Sequence, residues 1–520
     1  MCRVVIGGTV MIIENISVRL RVNIAALLGI FFSAYLNAIV TAISPDMIVA
    51  FKDGTAYYAL SWNLFYLFGA IAMPLSGRLS LTFGKKRLFI VGILLCILGT
   101  LCATLVISMA QFALTRCIIG AGYGIILSVG VAVLGEINPP ESRAKYMAMY
   151  STMVGLSQMA FPPLASLVAS FASWRLVFAF GVILGIIPAI MLQRNMPSPL
   201  SHQKVSIDWR GIVLLSLCCA AIVLALTGAE HFLSGLNRGH FIIAAIVFLL
   251  LFLKAEQHSP CPVIPLTLFK NKHFLFCAVA VFGLYIAFYP LNTFKTLLGT
   301  GVLQLDPVYN SLLMSVQFVG MCIFSILSGQ LVSRTGKLKL ITVLALLVTL
   351  LGFGGLIVTG MATSPLFVGV CYFFIGAGTG HLVYAFTLFL QNSLPVEIVA
   401  IAIGTTGFLQ KVGGTLGNAF SDLAFETHWI HTAEKVLSSM SMSEAQCNLL
   451  KDYAFLLSSS ASDTAMQAFS SFSAEEVLLL FQHLRQTFAI ALHRPWIVCA
   501  SGLILCFLMV ILLPNDNKKR

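Results

Sequence analysis

Long apolar segments alternate with short polar turns from one end of the chain to the other. Runs such as Ile212–Leu226 and Phe241–Leu253 contain no charged residue. An apolar segment of about 20 residues is long enough to cross a bilayer as a helix. The strands of a membrane barrel would instead show ~10-residue stretches of alternating polarity. The pattern therefore predicts an all-α polytopic membrane protein with fourteen transmembrane helices, centred near positions 33, 67, 98, 123, 158, 184, 219, 248, 284, 320, 350, 378, 411 and 504.

Composition agrees with this pattern, and the charge distribution orients it. The chain is 59% hydrophobic and 10% charged, with a mean hydropathy of +0.96 and a net charge of +12. With the N-terminus placed inside, 21 of the 31 Lys and Arg residues fall on the inner side. Cytoplasmic loops carry such an excess. We therefore expect a multi-pass plasma membrane protein with both termini cytoplasmic, and no nucleic-acid partner.

Two short sequence patterns occur twice, about half the chain apart. SGRLSLTFGKKRL at 76–88 is echoed by SGQLVSRTGKLKL at 328–340, and IGAGYG at 119–124 by IGAGTG at 375–380. The two offsets, 252 and 256 residues, are nearly equal. They predict two homologous six-helix halves with two inserted helices between them. The expected domains are 1–195, a linker with the inserted helices at 196–272, and 273–520, which includes a long extracytoplasmic loop at 424–490.

The first repeated pattern has a structural interpretation. Gly77 and Gly329 would allow helices to approach closely, whereas Gly84 and Gly336 would allow the positive φ that helix ends often need. The basic residues would hold each turn in the cytoplasm near a helix C-terminus. We expect the following residues to support the conformational change: Gly77, Gly84, Lys85, Arg87, Gly120, Gly124, Gly329, Arg334 and Gly336.

Several motifs, in order, carry a resemblance to a known family. They are the turn at 77–87, Arg116 with Gly120, Gly122 and Gly124, Ser173-Trp174-Arg175 with Phe178, Asp208-Trp209-Arg210-Gly211, Glu256 with Pro265 and Phe269-Lys270-Asn271, and Gln410-Lys411 with Gly413-Gly414. Together they resemble the major facilitator superfamily, specifically its fourteen-helix drug:proton antiporter group. The resemblance implies a monomeric transporter of a bacterial inner membrane, which exports small amphipathic compounds in exchange for protons through a site between the halves.

The chain departs from the antiporter pattern where that group carries its carboxylates and glycines. Leu81 and Ser333 stand where the repeated turn usually has an aspartate. Leu36 replaces the membrane aspartate of the first span, and the fifth-span motif survives in its prolines (FPPLAS at 161–166) without its glycines. A proton-driven exchanger needs a buried group that titrates near neutral pH. The candidates are His381 in the middle of span 12, and Asp46 and Glu136 near span ends.

Buried cations are the second unusual feature. Arg116 and Lys411 lie deep in spans of opposite halves, and the position equivalent to Arg116 is Tyr372. A buried cation is costly unless it is satisfied, so a role in binding is one explanation and bonding to backbone carbonyls is another. The candidate substrate-binding residues are Arg116, Lys411, Gln410, Tyr35, Trp62, Gln158, Phe161, Tyr289 and Gln317.

Three functions remain open from the residues. The chain is either a proton-coupled exporter, a transporter or uniporter of an organic anion, or a scaffold or sensor on the same fold. Cationic drugs are usually recognised by aromatic walls together with a carboxylate, and no acidic residue lies in the middle of a span. Neither a nucleotide loop, a catalytic motif nor metal-ligand spacing is present. We therefore expect no enzyme activity, cofactor or metal, and expect as partners a small molecule, the lipid bilayer and a proton gradient.

Overall fold

The structure is a computed structural model that describes residues 15–51, 54–197, 208–227, 237–438 and 474–514. Within these ranges the chain forms fourteen α-helices and no strand, which confirms the predicted all-α architecture. The helices are α1 (Ile16–Ala50), α2 (Gly54–Phe83), α3 (Lys85–Leu105), α4 (Met109–Ile137), α5 (Pro140–Phe171), α6 (Trp174–Asn195), α7 (Trp209–Thr227), α8 (Arg238–His258), α9 (Lys272–Thr296), α10 (Pro307–Thr335), α11 (Leu338–Ile357), α12 (Pro365–Ser393), α13 (Val396–Ser438) and α14 (Ala474–Leu512).

Twelve of these helices are long and apolar enough to cross a membrane. The two that differ are α7, whose apolar part Trp209–Ala225 is shorter, and α13, which is longer but more polar. A 20-residue helix is about 30 Å long, so the 43 residues of α13 extend well beyond a bilayer core.

The packing of helices repeats with a shift of eight helices. In the first bundle, α4 packs on α2 and α3, while α1 packs on α5 and α6. In the second bundle, α12 packs on α10 and α11, while α9 packs on α13 and α14. The chain thus forms two pseudo-symmetric six-helix bundles, α1–α6 and α9–α14, as the repeated patterns predict. Across the bundles, α5 packs against α10 and α2 against α13.

The repetition extends to individual backbone contacts. A Cβ atom at Gly120 would collide with the carbonyl oxygen of Phe65 on α2. A Cβ atom at Gly376 would collide with the carbonyl oxygen of Gln317 on α10. Because small residues let helices approach closely in membranes, the IGAGYG and IGAGTG stretches form one helix contact twice.

The turns that follow α2 and α10 lie at the same end of the two bundles. We call this end, with Gly84–Arg87 and Gly336–Lys339, the basic end, and the other the distal end. Gly84 has φ +82° and Gly336 has φ +69°. Both values lie in the region that glycine adopts without strain, which confirms the prediction for these two positions. Arg87 and Arg334 are exposed at this end.

The inserted helices α7 and α8 pack on each other, and α7 packs on α2 of the first bundle. Leu67 on α2 shares an apolar cluster with Leu215 on α7 and Phe252 on α8. The segment after α8 is tied to the end of α2, because Arg78 donates from Nε to the Pro262 carbonyl at 2.7 Å. Phe408 on α13 packs against the same cluster, so the insertion lies beside the α2–α13 contact of the two bundles.

Helices extend into the predicted loop at 424–490 from both sides. The helix α13 continues to Ser438, and α14 begins at Ala474. Trp429 and Phe425 of α13 each lie 5.3 Å from Phe488 of α14, between ring centroids. The hydropathy pattern missed the last helical turns of α13 and the first of α14, because only one aromatic stripe is buried there and most other residues are polar. Residues 439–473 of the predicted loop lie outside the described part of the chain.

Candidate functional site

A cavity lies between the two bundles. Its volume is about 50 Å³, and it is lined by residues of α2, α4, α5, α9, α12 and α13. About half of the side chains that line it are aliphatic, and hydroxyl and amide groups come from Ser128, Tyr150, Tyr285, Thr387, Thr406 and Gln410. A concave site that combines apolar side chains with a few polar groups is typical for a small organic molecule. Such sites measure about 300–1,000 Å³, so the bundles would have to separate further here to admit one.

The motif glycines hold the two bundles together at the basic end. Gly77 on α2 faces α13, where a Cβ atom would lie 2.8 Å from the Ala400 carbonyl oxygen. Gly329 on α10 faces α5, where a Cβ atom would lie 3.2 Å from the Ala144 carbonyl oxygen and would collide with Ala148. The close approach predicted for Gly77 and Gly329 is thus confirmed, and both contacts join one bundle to the other.

Hydrogen bonds between the bundles cluster at the same end. Arg143 donates from Nη1 to the Gln391 carbonyl at 3.1 Å and to Asn392 Oδ1 at 3.3 Å. Ser333 donates to the Glu141 carbonyl at 2.6 Å. The position that usually carries an aspartate therefore contributes a neutral hydrogen bond across the interface. The cavity is closed toward the basic end.

Lys411 lies among tyrosines of both bundles. Its Nζ donates to the Tyr289 hydroxyl at 2.8 Å and lies 4.8 Å from the ring centroids of Tyr66 and of Tyr123. The Tyr66 and Tyr289 rings are 5.4 Å apart. Lys411 is only 3% exposed. We call Tyr66, Tyr123 and Tyr289 the tyrosine cage.

Arg116 is fully buried in the first bundle. Its Nη1 donates to the Leu36 carbonyl at 3.3 Å, and Cζ lies 3.9 Å from the Phe65 ring and 4.9 Å from the Trp62 ring. Trp62 stacks on Tyr66 with centroids 5.8 Å apart. An aromatic strip therefore connects the guanidinium to the tyrosine cage.

A third buried cation, Lys295, lies within the second bundle. Its Nζ donates to Gln317 Oε1 at 2.6 Å and lies 5.2 Å from the Phe318 ring and 5.5 Å from the Tyr372 ring. All of these partners belong to α10 and α12, so the structure brings Gln317 to Lys295 rather than to Lys411.

His381 is the centre of a buried hydrogen-bond network in the second bundle. Nε2 lies 2.9 Å from Thr342 Oγ1, and Nδ1 lies 2.9 Å from the Tyr384 hydroxyl. The Tyr384 hydroxyl lies 3.0 Å from Ser328 Oγ on α10. One helical turn before Ser328, the Ser325 hydroxyl lies 2.9 Å from that of Ser151 on α5. A chain of polar contacts thus runs from His381 to the interface of the bundles.

The Glu136 carboxylate lies away from these groups. Glu136 forms a salt bridge with Lys85 at the basic end, and it is the only salt bridge among the residues the structure describes. The side chain of Asp46 lies outside the described part of the chain. Among the described residues, no cluster of His, Cys, Asp and Glu could hold a metal ion.

The remaining predicted binding residues are divided between the cavity and the first bundle. Gln410 lines the cavity. Tyr35 donates its hydroxyl to the Val177 carbonyl and packs on Phe161 with centroids 4.5 Å apart. Gln158 is half-buried on α5. Tyr35 and Phe161 are therefore engaged in packing of α1, α5 and α6.

Sequence reasoning missed Tyr123, Tyr150 and the partners of His381. Tyr123 had a signal, because it is the one position at which IGAGYG and IGAGTG differ. Tyr150 lines the cavity near the middle of α5, where no motif marks it. Thr342 and Ser328 lie 39 and 53 residues from His381 on other helices, so no local spacing pointed to them.

Comparison with known proteins places this geometry in a family. The model of the Major Facilitator Superfamily matches residues 26–418. Multidrug resistance protein 3 of Bacillus subtilis (strain 168) is 27% identical over 405 residues, which cover 76% of this chain and 77% of that protein. Riboflavin transporter RibZ of Clostridioides difficile (strain 630) is 22% identical over 355 residues, covering 68% and 76%.

The fold also matches a solved structure. The human organic anion transporter MFSD10 (TETRAN) superimposes with a TM-score of 0.64 at 12% identity, over 95% of this chain and 99% of that protein. At this identity the match concerns the fold alone. It agrees with the two-bundle architecture described above.

Proposed function

Because the chain belongs to the major facilitator superfamily, we propose that it is a secondary transporter that exports small amphipathic compounds by alternating access. The observation that carries the proposal is the cavity between the bundles, whose wall combines aliphatic side chains with hydroxyl and amide groups. Such a wall can contact the apolar parts of different substrates while its polar side chains orient one polar group of the substrate. The multidrug name of a relative that covers most of the chain supports the same class of substrate.

The basic end faces the cytoplasm in this proposal. Short cytoplasmic loops carry an excess of Lys and Arg, and this end carries the KKR run at 85–87 and both Lys337 and Lys339. The tight contacts at Gly77 and Gly329 would then form the inner gate. Closure at this gate would leave the outer side as the route for release of the substrate.

Proton coupling is the second part of the proposal, and it rests on His381. Because Thr342 Oγ1 donates to the Leu338 carbonyl at 2.9 Å, it accepts from Nε2–H of the ring. Nδ1 of the neutral ring then accepts from Tyr384. When Nδ1 takes up a proton, it donates to the tyrosine oxygen, and the Tyr384 proton turns toward Ser328. Protonation would thereby rearrange the polar contacts of α10 close to Ser325 and Ser151 at the inner gate.

Transport in inside-out vesicles tests both parts. We expect vesicles that contain the full chain, with an acidified interior, to accumulate an uncharged lipophilic dye and to release it when a protonophore collapses the gradient. Vesicles without the protein give the passive background. Absence of protein-dependent accumulation at any gradient would contradict export and favour a scaffold or sensor.

The second candidate is a transporter of an organic anion that does not use protons. It is favoured by Arg116 and Lys411, which lie at the two ends of one aromatic strip. Uptake of a labelled organic anion that is unchanged by the protonophore would support this candidate and would exclude proton exchange.

A further inference from the structure

The tyrosine cage has the composition of a site for an organic cation. Tyr66 comes from α2, Tyr123 from α4 and Tyr289 from α9, and all three rings surround the Lys411 ammonium with centroids between 4.8 and 5.5 Å from Nζ. Aromatic faces attract a cation within about 6 Å of the centroid, and several such faces recognise quaternary ammonium groups. In this chain the Lys411 ammonium occupies the position that such a ligand would take.

The interactions of Lys411 differ from those of a structural ion pair. Its hydrogen bond goes to a neutral phenol, the Tyr289 hydroxyl. No carboxylate of the described part of the chain forms a salt bridge with it. When Lys411 is protonated, its neutral partners leave the positive charge uncompensated. It therefore attracts an anion and repels a second cation.

The cage borders the cavity described above. Tyr285 lines the cavity and packs edge-to-face on Tyr289 with centroids 5.9 Å apart. Gln410, the neighbour of Lys411 in sequence, also lines the cavity. A substrate in the cavity would thus lie close enough to Lys411 for an electrostatic interaction with its ammonium.

We infer that Lys411 is a built-in cation that fills the tyrosine cage, and that it makes the transporter select anionic amphipathic compounds and reject quaternary ammonium compounds. This inference rests on the proposed function, because it assigns the charge of the exported substrate. It also assigns a specificity-determining role to one residue. Truncation of the lysine side chain would leave an aromatic cage that is open to an external cation.

Two probes of similar size and opposite charge test this selectivity: benzylsulfonate and benzyltrimethylammonium. Binding of each is measured by calorimetry on the purified full chain in detergent, without any gradient. We expect the unmodified protein to bind benzylsulfonate at least tenfold more tightly than benzyltrimethylammonium. Equal binding of the two probes, or tighter binding of the ammonium, would overturn the inference.

Variants then assign the effect to the cage. Lys411→Ala is expected to reverse the preference and to raise the affinity for benzyltrimethylammonium at least tenfold. Addition of Tyr289→Leu to that variant should remove the gain, because one wall of the cage is lost. Lys295→Ala is the matched control: Lys295 is also buried, but its partners Gln317, Phe318 and Tyr372 lie within one bundle. It should not gain affinity for the ammonium.

The outcomes separate this inference from the proposed function. Binding of the predicted sign without any flux in vesicles would contradict export and leave the assignment of Lys411 intact. Export of the uncharged dye together with equal binding of both probes would support export and overturn the assignment of Lys411. If Lys411→Ala fails to fold, Lys411→Ser replaces it, and the comparison of the two probes on the unmodified protein still decides.

Discussion

In the first bundle a buried arginine reaches the Leu36 carbonyl from α4, whereas in the second bundle a buried lysine reaches the corresponding junction from α9. Arg116 lies over Phe65, and Lys295 donates to Gln317, which is the residue 252 positions after Phe65. Tyr372, at the position equivalent to Arg116, supplies a ring beside the lysine. Both bundles therefore keep a cation where their first, second and fourth helices meet.

The two bundles therefore share the location of a buried cation, although different residues on different helices supply it. Aligned by position, Arg116 and Tyr372 suggest that the second bundle lost its cation. In three dimensions the charge has moved to the helix that corresponds to α1. A cation near this junction thus belongs to both bundles, whereas Lys411 in its tyrosine cage bridges them.

A second difference concerns groups that can carry a proton. The position equivalent to His381 in the first bundle is Ile125, and that equivalent to Tyr384 is Ser128. The polar network around His381 therefore exists in one bundle alone. Under the proposed proton coupling, this asymmetry would let one bundle respond to protons while the other bundle does not.

The largest effect is expected where the bundles are most alike. Gly120→Val and Gly376→Val each drive a side chain into a backbone carbonyl of the neighbouring helix. Overpacking of this kind costs about 3 kcal/mol, since neither helix can move away without disrupting its bundle. We expect the amount of folded protein in membranes to fall more than tenfold for either variant, as measured by fluorescence-detected size exclusion.

Gly354→Val is the matched control for these glycines. A Cβ atom at Gly354 on α11 meets nothing within 4 Å, so this variant should accumulate like the unmodified protein. If Gly376→Val also folded normally, the two bundles would not depend on the same close contact.

The next largest effect is expected at the buried cation of the first bundle. Arg116→Ala removes the hydrogen bond to Leu36 and the cation that lies over Phe65 and Trp62. We expect flux in vesicles to fall at least tenfold while the protein level in the membrane stays within twofold. Arg116→Lys, which keeps the charge, should retain more flux than Arg116→Ala. Normal flux in Arg116→Ala would remove this residue from the site.

The third largest effect is expected at the hydrogen-bond network of the second bundle, where His381 is replaced by the residue type of the equivalent position in the first bundle, Ile125. His381→Ile should fold and still transport, but its flux should no longer respond to a pH gradient, because no ring nitrogen remains between Thr342 and Tyr384. We expect the ratio of flux with and without the gradient to fall from several-fold to about one. Thr349→Val, which alters another buried threonine of α11 that bonds only within its own helix, serves as the control. A gradient response that survives in His381→Ile would place the coupling group elsewhere.

The smallest effect is expected for the cation of the second bundle when both partners are replaced together. Gln317→Leu leaves the Lys295 ammonium buried without its amide acceptor, and loss of such a bond costs about 1.5–3 kcal/mol. The double variant Lys295→Leu, Gln317→Leu should recover most of this lost stability, since two leucines pack together and leave no buried charge. Thermal unfolding in detergent measures both. A double variant as unstable as Gln317→Leu would show that the ammonium has a further essential partner.

Hydropathy, repeats and motif glycines were sufficient to predict the frame of the molecule. The fourteen segments, the relation of α2 to α10 and of α4 to α12, the positive φ of Gly84 and Gly336, and the close approach at Gly77 and Gly329 all follow from short stretches of sequence. The sequence also singled out Arg116, Lys411 and His381, because polar residues inside apolar spans are costly and therefore conspicuous. It misjudged the length of α13 and α14, where one buried aromatic stripe is diluted by polar residues.

The sequence by itself determined which segments are helical, how often the pattern repeats and which ionisable groups lie within spans, since each of these depends on neighbours within a few helical turns. Only the tertiary structure decided what those groups contact. Lys411 and Tyr289 are 122 residues apart, and Arg116 and Leu36 are 80 residues apart. Whether a buried lysine meets a carboxylate, an amide or a cage of tyrosines depends on how whole helices pack side by side, and that packing arises from the many small contacts along their full length.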